Sequence, residues 1–297
     1  PDGPYLRETL AMLHMSEQEV KFYNQVQPEI PELAPAAYYA KTYPGGRFLI
    51  LMEVLEARGM KPYWQAYDCS LEHAKAVIAT LAKLHATYWE SERFNADLVW
   101  VRPRTQRFGR QWHSGSYHLA RSQFLKSDIG ATLPSEVADM IRLWDANDLK
   151  VYDYWDSLPM TFMHGDSHLG NTFSYPDGRA GFFDWQCILR GYGLREVAYF
   201  FLSAMPEEIR KSHEREIVEY YLDELEAHGV SIDREAAWLN YCTFVLDVLD
   251  ANIKTTMRGG YGHAASALQR GLRTLIGSIT ENGVPELLQR IVRDGKL

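Results

Sequence analysis

The stretch from Thr161 to Gln186, TFMHGDSHLGNTFSYPDGRAGFFDWQ, constrains the fold of this chain more than any other. Thr161-Phe162-Met163 is a short apolar-leaning run, which predicts a buried strand. His164-Gly165-Asp166 then turns the chain, with a glycine that permits a tight turn or a close backbone approach. Thr172-Phe173-Ser174-Tyr175 predicts a second strand. Pro176-Asp177-Gly178-Arg179 is a strong turn signal, and Gly181-Phe182-Phe183 predicts the returning strand. Such a hairpin delivers Asp184 beside Asn171. Two oxygen donors from opposite arms of one hairpin suit magnesium, which binds one or two carboxylates plus substrate phosphates and keeps several waters.

His164, Asp166 and Asn171 stand in the order H-x-D-x-x-x-x-N, with Asp184 following the hairpin. That is the spacing of a phosphoryl-transfer catalytic loop and its metal-binding aspartate. Asp166 is the candidate catalytic base, and Asn171 and Asp184 are the candidate metal ligands. His164 reads as a structural hydrogen-bonder. His168 reads as a loop histidine bonded to backbone, with contact to substrate or phosphate as the alternative. A hairpin with capping Asp and Asn residues and no chemistry is the plainer reading. The hairpin-length gap and the terminal Asp-Trp-Gln weigh against it.

The segments MHGDSHLGN (163–171), FFDWQ (182–186) and RGYGLREVAYF (190–200) resemble the aminoglycoside phosphotransferase and choline kinase superfamily. The resemblance is nearest to its ecdysteroid-kinase-like branch of small-molecule kinases. LAKLHATYW (81–89) is similar to the helix those enzymes place ahead of the catalytic loop. EQEVKFYNQV (17–26) is similar to their helix bearing the glutamate that pairs with the ATP-binding lysine. The resemblance implies an α+β, protein-kinase-like two-lobed fold. Residues 1–55 would be the remainder of a small β-rich nucleotide-binding lobe and hinge. Residues 56–297 would be a large, mainly helical lobe with the catalytic loop and acceptor site.

It further implies an ATP- and magnesium-dependent phosphotransferase acting on a hydroxyl of an aminoglycoside-, choline- or steroid-like alcohol. Glu19 would partner the lysine, and Met52 would guard the back of the adenine pocket. The backbones of Glu53 and Leu55 would hydrogen-bond the adenine edge. Glu196 stands where relatives usually carry aspartate, so its longer side chain is expected to change the bracing of the catalytic loop. No glycine-containing phosphate loop or strand lysine is visible before Glu19, and the small lobe reads as incomplete at its N-terminus. Lys21 lies on the expected helix, and Lys41 lies on a strand where it should face solvent. A non-catalytic pseudokinase, serving as a nucleotide-sensing or protein-binding module, is the alternative. A protein kinase is disfavoured, since Asp-Phe-Gly and Ala-Pro-Glu are missing.

Composition narrows the partners. The chain has 297 residues, 46% hydrophobic and 24% charged, enough for a sizeable core. A net charge of -8 and the lack of a basic stripe argue against nucleic-acid binding. The cysteines Cys69, Cys187 and Cys242 form no metal-binding or disulfide pattern, which predicts a reducing, cytoplasmic setting. No apolar run approaches bilayer length, so no membrane partner is expected. A small-molecule alcohol is the expected partner, and the oligomeric state stays open.

Periodicity and breakers predict helices over 16–27, 72–89, 134–155, 194–205, 206–228, 233–258, 264–282 and 285–293, with Ser16 as the first N-cap. Strands are expected over 36–43 and 47–54 around Pro44-Gly45-Gly46, with Phe48–Leu55 buried. The segment 94–118 reads as irregular. Trp100, Trp112, Tyr117, Trp144, Tyr152, Tyr154 and Trp155 are rich enough in aromatic surface to line an acceptor pocket, with core packing expected for most. Asp247, Asp250 and Asn252 could face the same cleft. Trp185 and Gln186 could shape its wall.

Overall fold

The computed structural model describes residues 14–64, 69–107, 110–262 and 265–297. Most of the sequence ahead of Glu19 lies outside that set, as does the side chain of Trp112. The first helix among the described residues, α1, spans Met15–Lys21 and runs on as one π-helical turn over Phe22–Val26. His14, at a left-handed φ of 51°, precedes it, so Ser16 lies inside the first turn and is not the cap. Val20, Phe22, Tyr23 and Val26 are buried.

Strands β1 (Ala37–Tyr43) and β2 (Arg47–Met52) pair antiparallel, from Tyr43↔Arg47 to Ala37↔Met52. The turn between them holds Gly45 and Gly46 at φ values of 78° and 68°, which glycine adopts without strain. The expectation that Phe48–Leu55 is a buried strand is corrected. The strand stops at Met52, and Phe48, Leu49, Leu51 and Met52 are exposed. Among the described strands, β1 and β2 pair only with each other, and α1 packs against the pair. Lys41 faces solvent as expected.

The remaining chain is mainly helical. Helix α2 (Leu71–Thr87) opens on Ser70, whose hydroxyl accepts the His73 N–H at 3.1 Å. The region 94–118 is more ordered than its composition suggests. It contains the short α3 (Arg104–Arg107) and most of α4 (Arg110–Leu125). Tyr117, Ala120, Arg121 and Phe124 form the buried face of α4 at the spacing of a helix. Polar His118, Ser122 and Gln123 between them, with an exposed Leu119, hid that period. Helix α5 (Ser135–Asp156) bends at Asn147, where φ is -135°.

Helices α6 (Leu194–Ala204), α7 (Glu207–Ala227), α8 (Arg234–Met257), α9 (Ala265–Glu281) and α10 (Val284–Asp294) fall close to their expected bounds. Residues Asn240–Asp250 of α8 are buried without interruption, since α4, α6, α9 and α10 all pack on it. Trp144, Tyr152, Trp155 and Phe244 interlock beside it, with the Trp155 and Phe244 centroids 4.9 Å apart. These aromatics are core rather than acceptor wall. Burying each such side chain stabilises by about 2 kcal/mol before entropy. Tyr154 is also buried, donating to Asn240 Oδ1 at 2.6 Å.

Between α5 and α6 lie the strands that carry the loop chemistry. Strand β4 (Thr161–Met163) pairs with β7 (Leu189–Gly191). Strands β5 (Thr172–Ser174) and β6 (Ala180–Phe182) form the expected hairpin, with β3 (Lys61–Pro62) on the outer edge of β5. No helix among the described residues is long and apolar enough to cross a membrane.

Candidate active site

The loop between β4 and β5 is fixed from beneath by one carboxylate. Glu196, fully buried near the start of α6, accepts the His164 N–H at 2.9 Å and the Gly165 N–H at 2.8 Å. His85 of α2 bonds the same carboxylate at 3.2 Å, and the Tyr221 hydroxyl holds the other ring nitrogen of His85 at 2.9 Å. Burial alone would push the Glu196 carboxyl up; the His85 hydrogen bond and the charges around it win and hold it below its ordinary value. Its two oxygens thus let one side chain serve two loop amides.

Gly165 has no substitute in this loop. Its φ is 88°, and a Cβ there would lie 1.8 Å from the Cys187 carbonyl oxygen.

His164 is structural, as its position suggested. Its Nδ1 meets the Asp166 N–H at 3.2 Å and its Nε2 meets the Phe183 carbonyl at 3.0 Å. Burial holds the imidazole neutral by lowering its pKa, which matches one ring nitrogen accepting and the other donating. His164 therefore ties the loop after β4 to the far end of the hairpin.

Asp166 is half-buried. The Tyr199 hydroxyl, from α6, donates to its Oδ1 at 2.8 Å, and His168 Nε2 lies 3.7 Å from its Oδ2. Asn171 donates its side-chain amide to the Asp166 carbonyl at 2.9 Å, which leaves its Oδ1 as the acceptor turned the other way. The Phe183 N–H bonds the Asn171 carbonyl at 3.1 Å, extending the hairpin register by one pair. Asp184 follows at once, in a left-handed conformation with φ 64°. The hairpin thus brings Asn171 and Asp184 together, as the turn signal predicted.

Burial, and then the charge of Asp166, push the Asp184 carboxyl up to about 6. A carboxylate raised in this way is one a cation would relieve. With the Asn171 amide oxygen beside it, the donor set fits magnesium.

Glu19 reaches the same place from α1. Its carboxyl is pushed up to about 7 by burial and then by Asp184, while the Trp185 N–H bonds it. The Tyr23 hydroxyl, buried without a hydrogen-bond partner, feels both acids. Phe22 stacks on Trp185 with centroids 3.9 Å apart and planes 7° from parallel. Trp185 is fully buried and donates to the Phe182 carbonyl at 3.1 Å, so it is packing between lobes and not an acceptor wall.

At the exit from β2, Met52 is exposed and pairs with Ala37. Glu53 N–H bonds the Ala36 carbonyl at 2.9 Å, and its side chain is taken by the Ala36 N–H and Arg58. Leu55 opens a 3-10 turn, so its own N–H has no partner within that turn.

Tyr199 and Arg195 were not singled out from sequence. Arg195 donates to the Gly165 carbonyl at 3.0 Å and to Asp247 Oδ2 at 2.7 Å. The signal that could have found Tyr199 was its place three residues after Glu196, on the same helix face. Asp247 and Asp250 do not offer open carboxylates. Asp247 is shared by Arg104 and Arg195, and Asp250 by Arg121 and the Trp144 indole N–H. Asn252 lies on another face of α8, donating to the Leu268 carbonyl at 3.3 Å.

Residues 8–237 match the model of the phosphotransferase enzyme family. Among solved structures, choline kinase LicA from Streptococcus pneumoniae is similar with a TM-score of 0.50 at 14% identity, covering 87% of this chain and 80% of that one. ADP-bound aminoglycoside phosphotransferase APH(2'')-Ib gives a TM-score of 0.44 at 16% identity, covering 97% of this chain and 86% of that one. No curated protein sequence matches significantly. The α+β, kinase-like two-lobed fold expected from the sequence is the fold observed.

Proposed function

Because the chain belongs to the phosphotransferase enzyme family, we propose that it transfers the γ-phosphoryl group of ATP to a hydroxyl of a small-molecule alcohol. The observation that carries this reading is the convergence of Asp166, Asn171 and Asp184 through the β5–β6 hairpin and the Asn171 amide. In this reading residues 1–55 form the nucleotide lobe and hinge, and 56–297 the helical lobe with the acceptor site. The Glu53 carbonyl and the Leu55 N–H meet the adenine edge, and Met52 lies at its back. Glu19 steadies the phosphate end.

Asp166 accepts the proton of the acceptor hydroxyl as its oxygen attacks the γ-phosphorus. The bond from γ-phosphorus to the bridging oxygen breaks, and ADP leaves. Tyr199 holds the Asp166 carboxylate in one orientation, so little reorganisation accompanies attack. Asn171 and Asp184 would hold magnesium, which supplies charge neutralisation of the phosphates.

A second reading is a non-catalytic nucleotide-sensing or protein-binding module. It draws on Glu19 and Asp184, two carboxyls pushed up by burial and neighbouring acids at the place the phosphates would occupy. A titration and a turnover assay separate the two. ATP is titrated into the full chain with and without magnesium, beside the Asp184→Ala variant, and phosphoryl transfer to small-molecule alcohols is followed. Saturable binding that needs both magnesium and Asp184, together with transfer, supports the phosphotransferase. A folded protein that binds no nucleotide, or binds it and transfers nothing, supports the module.

A further inference from the structure

Beyond Asp166, a row of polar groups runs away from the phosphate end into the helical lobe. Arg195 lies over the Tyr199 ring at 4.9 Å and bonds Asp247. Arg104 bonds the other oxygen of Asp247 and the Tyr117 hydroxyl, the latter at 3.2 Å. Lys254, near the end of α8, places its Nζ 4.2 Å from the Tyr117 ring centroid. Three cations and two carboxylates share this row: Arg195 and Arg104 are paired with Asp247, and Asp250 acts on Arg104, Tyr117 and Lys254. Arg104 Nε is buried with no hydrogen-bond partner, a donor still open to an acceptor oxygen. The deeper acids, Asp250 and Asp148, are bound to Arg121 at 2.8 and 3.0 Å.

We propose that the acceptor alcohol carries an anionic oxyacid group, a carboxylate or a phosphate, recognised by Arg104 and Lys254 beside Tyr117. This rests on the phosphotransferase reading and names the substrate class of that same site. An ammonium-bearing acceptor would need an open carboxylate or an aromatic face. Asp247 and Asp250 are each taken by guanidinium groups, and the Tyr117 face is covered by Lys254. Tyr117 itself reports the sign of the local field. Burial alone pushes a tyrosine hydroxyl up, as at neighbouring Tyr152, yet Arg104 and Lys254 pull that of Tyr117 below its ordinary value even with Asp250 opposing them. The chain as a whole is acidic, with a net charge of -8, so this positive row is a local departure.

The test uses three probes that differ only in their charged end: 4-(hydroxymethyl)benzoate, 4-(hydroxymethyl)phenyl phosphate and 4-(hydroxymethyl)benzylamine. Each is titrated calorimetrically into the full chain holding magnesium and a non-hydrolysable ATP analogue. At least one anion should bind at least tenfold tighter than the amine, and which anion wins distinguishes carboxylate from phosphate. Lys254→Met should weaken that binding at least tenfold, and Lys254→Glu should move the preference toward the amine. The proposal is overturned by equal or tighter binding of the amine, by failure of both anions to bind, or by unchanged anion binding in a folded Lys254→Met. If the nucleotide analogue itself does not bind, the phosphotransferase reading fails separately. The same comparison on the nucleotide-free chain then still decides the anion site. Should Lys254→Glu unfold, Lys254→Met and the probe comparison remain decisive.

Discussion

The Tyr199 hydroxyl points at Asp166 Oδ1 from 2.8 Å, so the candidate base is held by a helix it does not belong to. Helix α6 supports the loop twice, through Glu196 beneath the backbone and Tyr199 against the carboxylate. A hydrogen bond to a charged group contributes about 1.5–3 kcal/mol when its geometry is kept.

Tyr199→Phe removes that hydroxyl and little volume. The expected result is a fall in kcat of roughly tenfold or more with nucleotide affinity unchanged, because the carboxylate loses its orientation and not its charge. Steady-state kinetics beside a nucleotide titration check this. Loss of nucleotide affinity with kcat retained would place Tyr199 elsewhere in the cycle.

Asp166→Asn keeps the shape of the loop and removes the proton acceptor. Transfer should drop by at least a hundredfold, on the order of what general bases contribute, while magnesium-dependent ATP binding persists. If the variant cannot bind ATP, Asp166 is holding the loop together and not accepting a proton.

Glu196→Ala strips two buried backbone N–H groups and His85 of their common acceptor. The expected cost is about 3 kcal/mol of stability, with the loss confined to an unfolding midpoint shift at constant denaturant slope. Glu196→Asp should fall between the two, since the shorter arm reaches one amide well and the other poorly. Urea unfolding of the three proteins tests the order.

Acid should weaken the fold through His73. This ring stacks on Tyr63 at 3.8 Å and meets the Thr172 hydroxyl at 3.0 Å, and burial, then the charge of Lys61, lower its pKa to about 4. The unfolded chain takes a proton near 6.5 that the folded ring refuses until about 4. Stability is therefore intact above 6.5 and falls through the window between those values, by about 3 kcal/mol in all. In His73→Gln the drop between pH 7 and pH 4.5 should be smaller than in the unsubstituted protein, as measured by urea midpoints. An equal drop in both would assign the acid sensitivity to other groups.

The β5–β6 hairpin was legible because its turn and its strands lie within one short window, where local sequence decides. The helices were legible for a similar reason: α7, α8 and α10 are bounded by Pro206, Asp233 and Gly283, which act locally. The exposure of β2 was not, since an apolar run predicts a buried strand and cannot say whether a second layer is there to bury it. Nor could sequence show that Trp185 faces Phe22, or that Asp247 is shared by two arginines from α3 and α6. Those pairings join residues far apart in the chain, and spacing carries no information about them. Tyr199 fell between the two cases, visible in helical phase but silent about its partner.

Phe22 and Trp185 lie face to face one residue beyond Asp184, on a helix that also bears Glu19. A stack this close couples the end of α1 to the end of the hairpin through direct packing. Any tilt of that helix would carry Asp184, the proposed metal ligand, with it. Occupancy of the cleft would then be written into the emission of an indole sealed from solvent, and the protein would report its own state without a label.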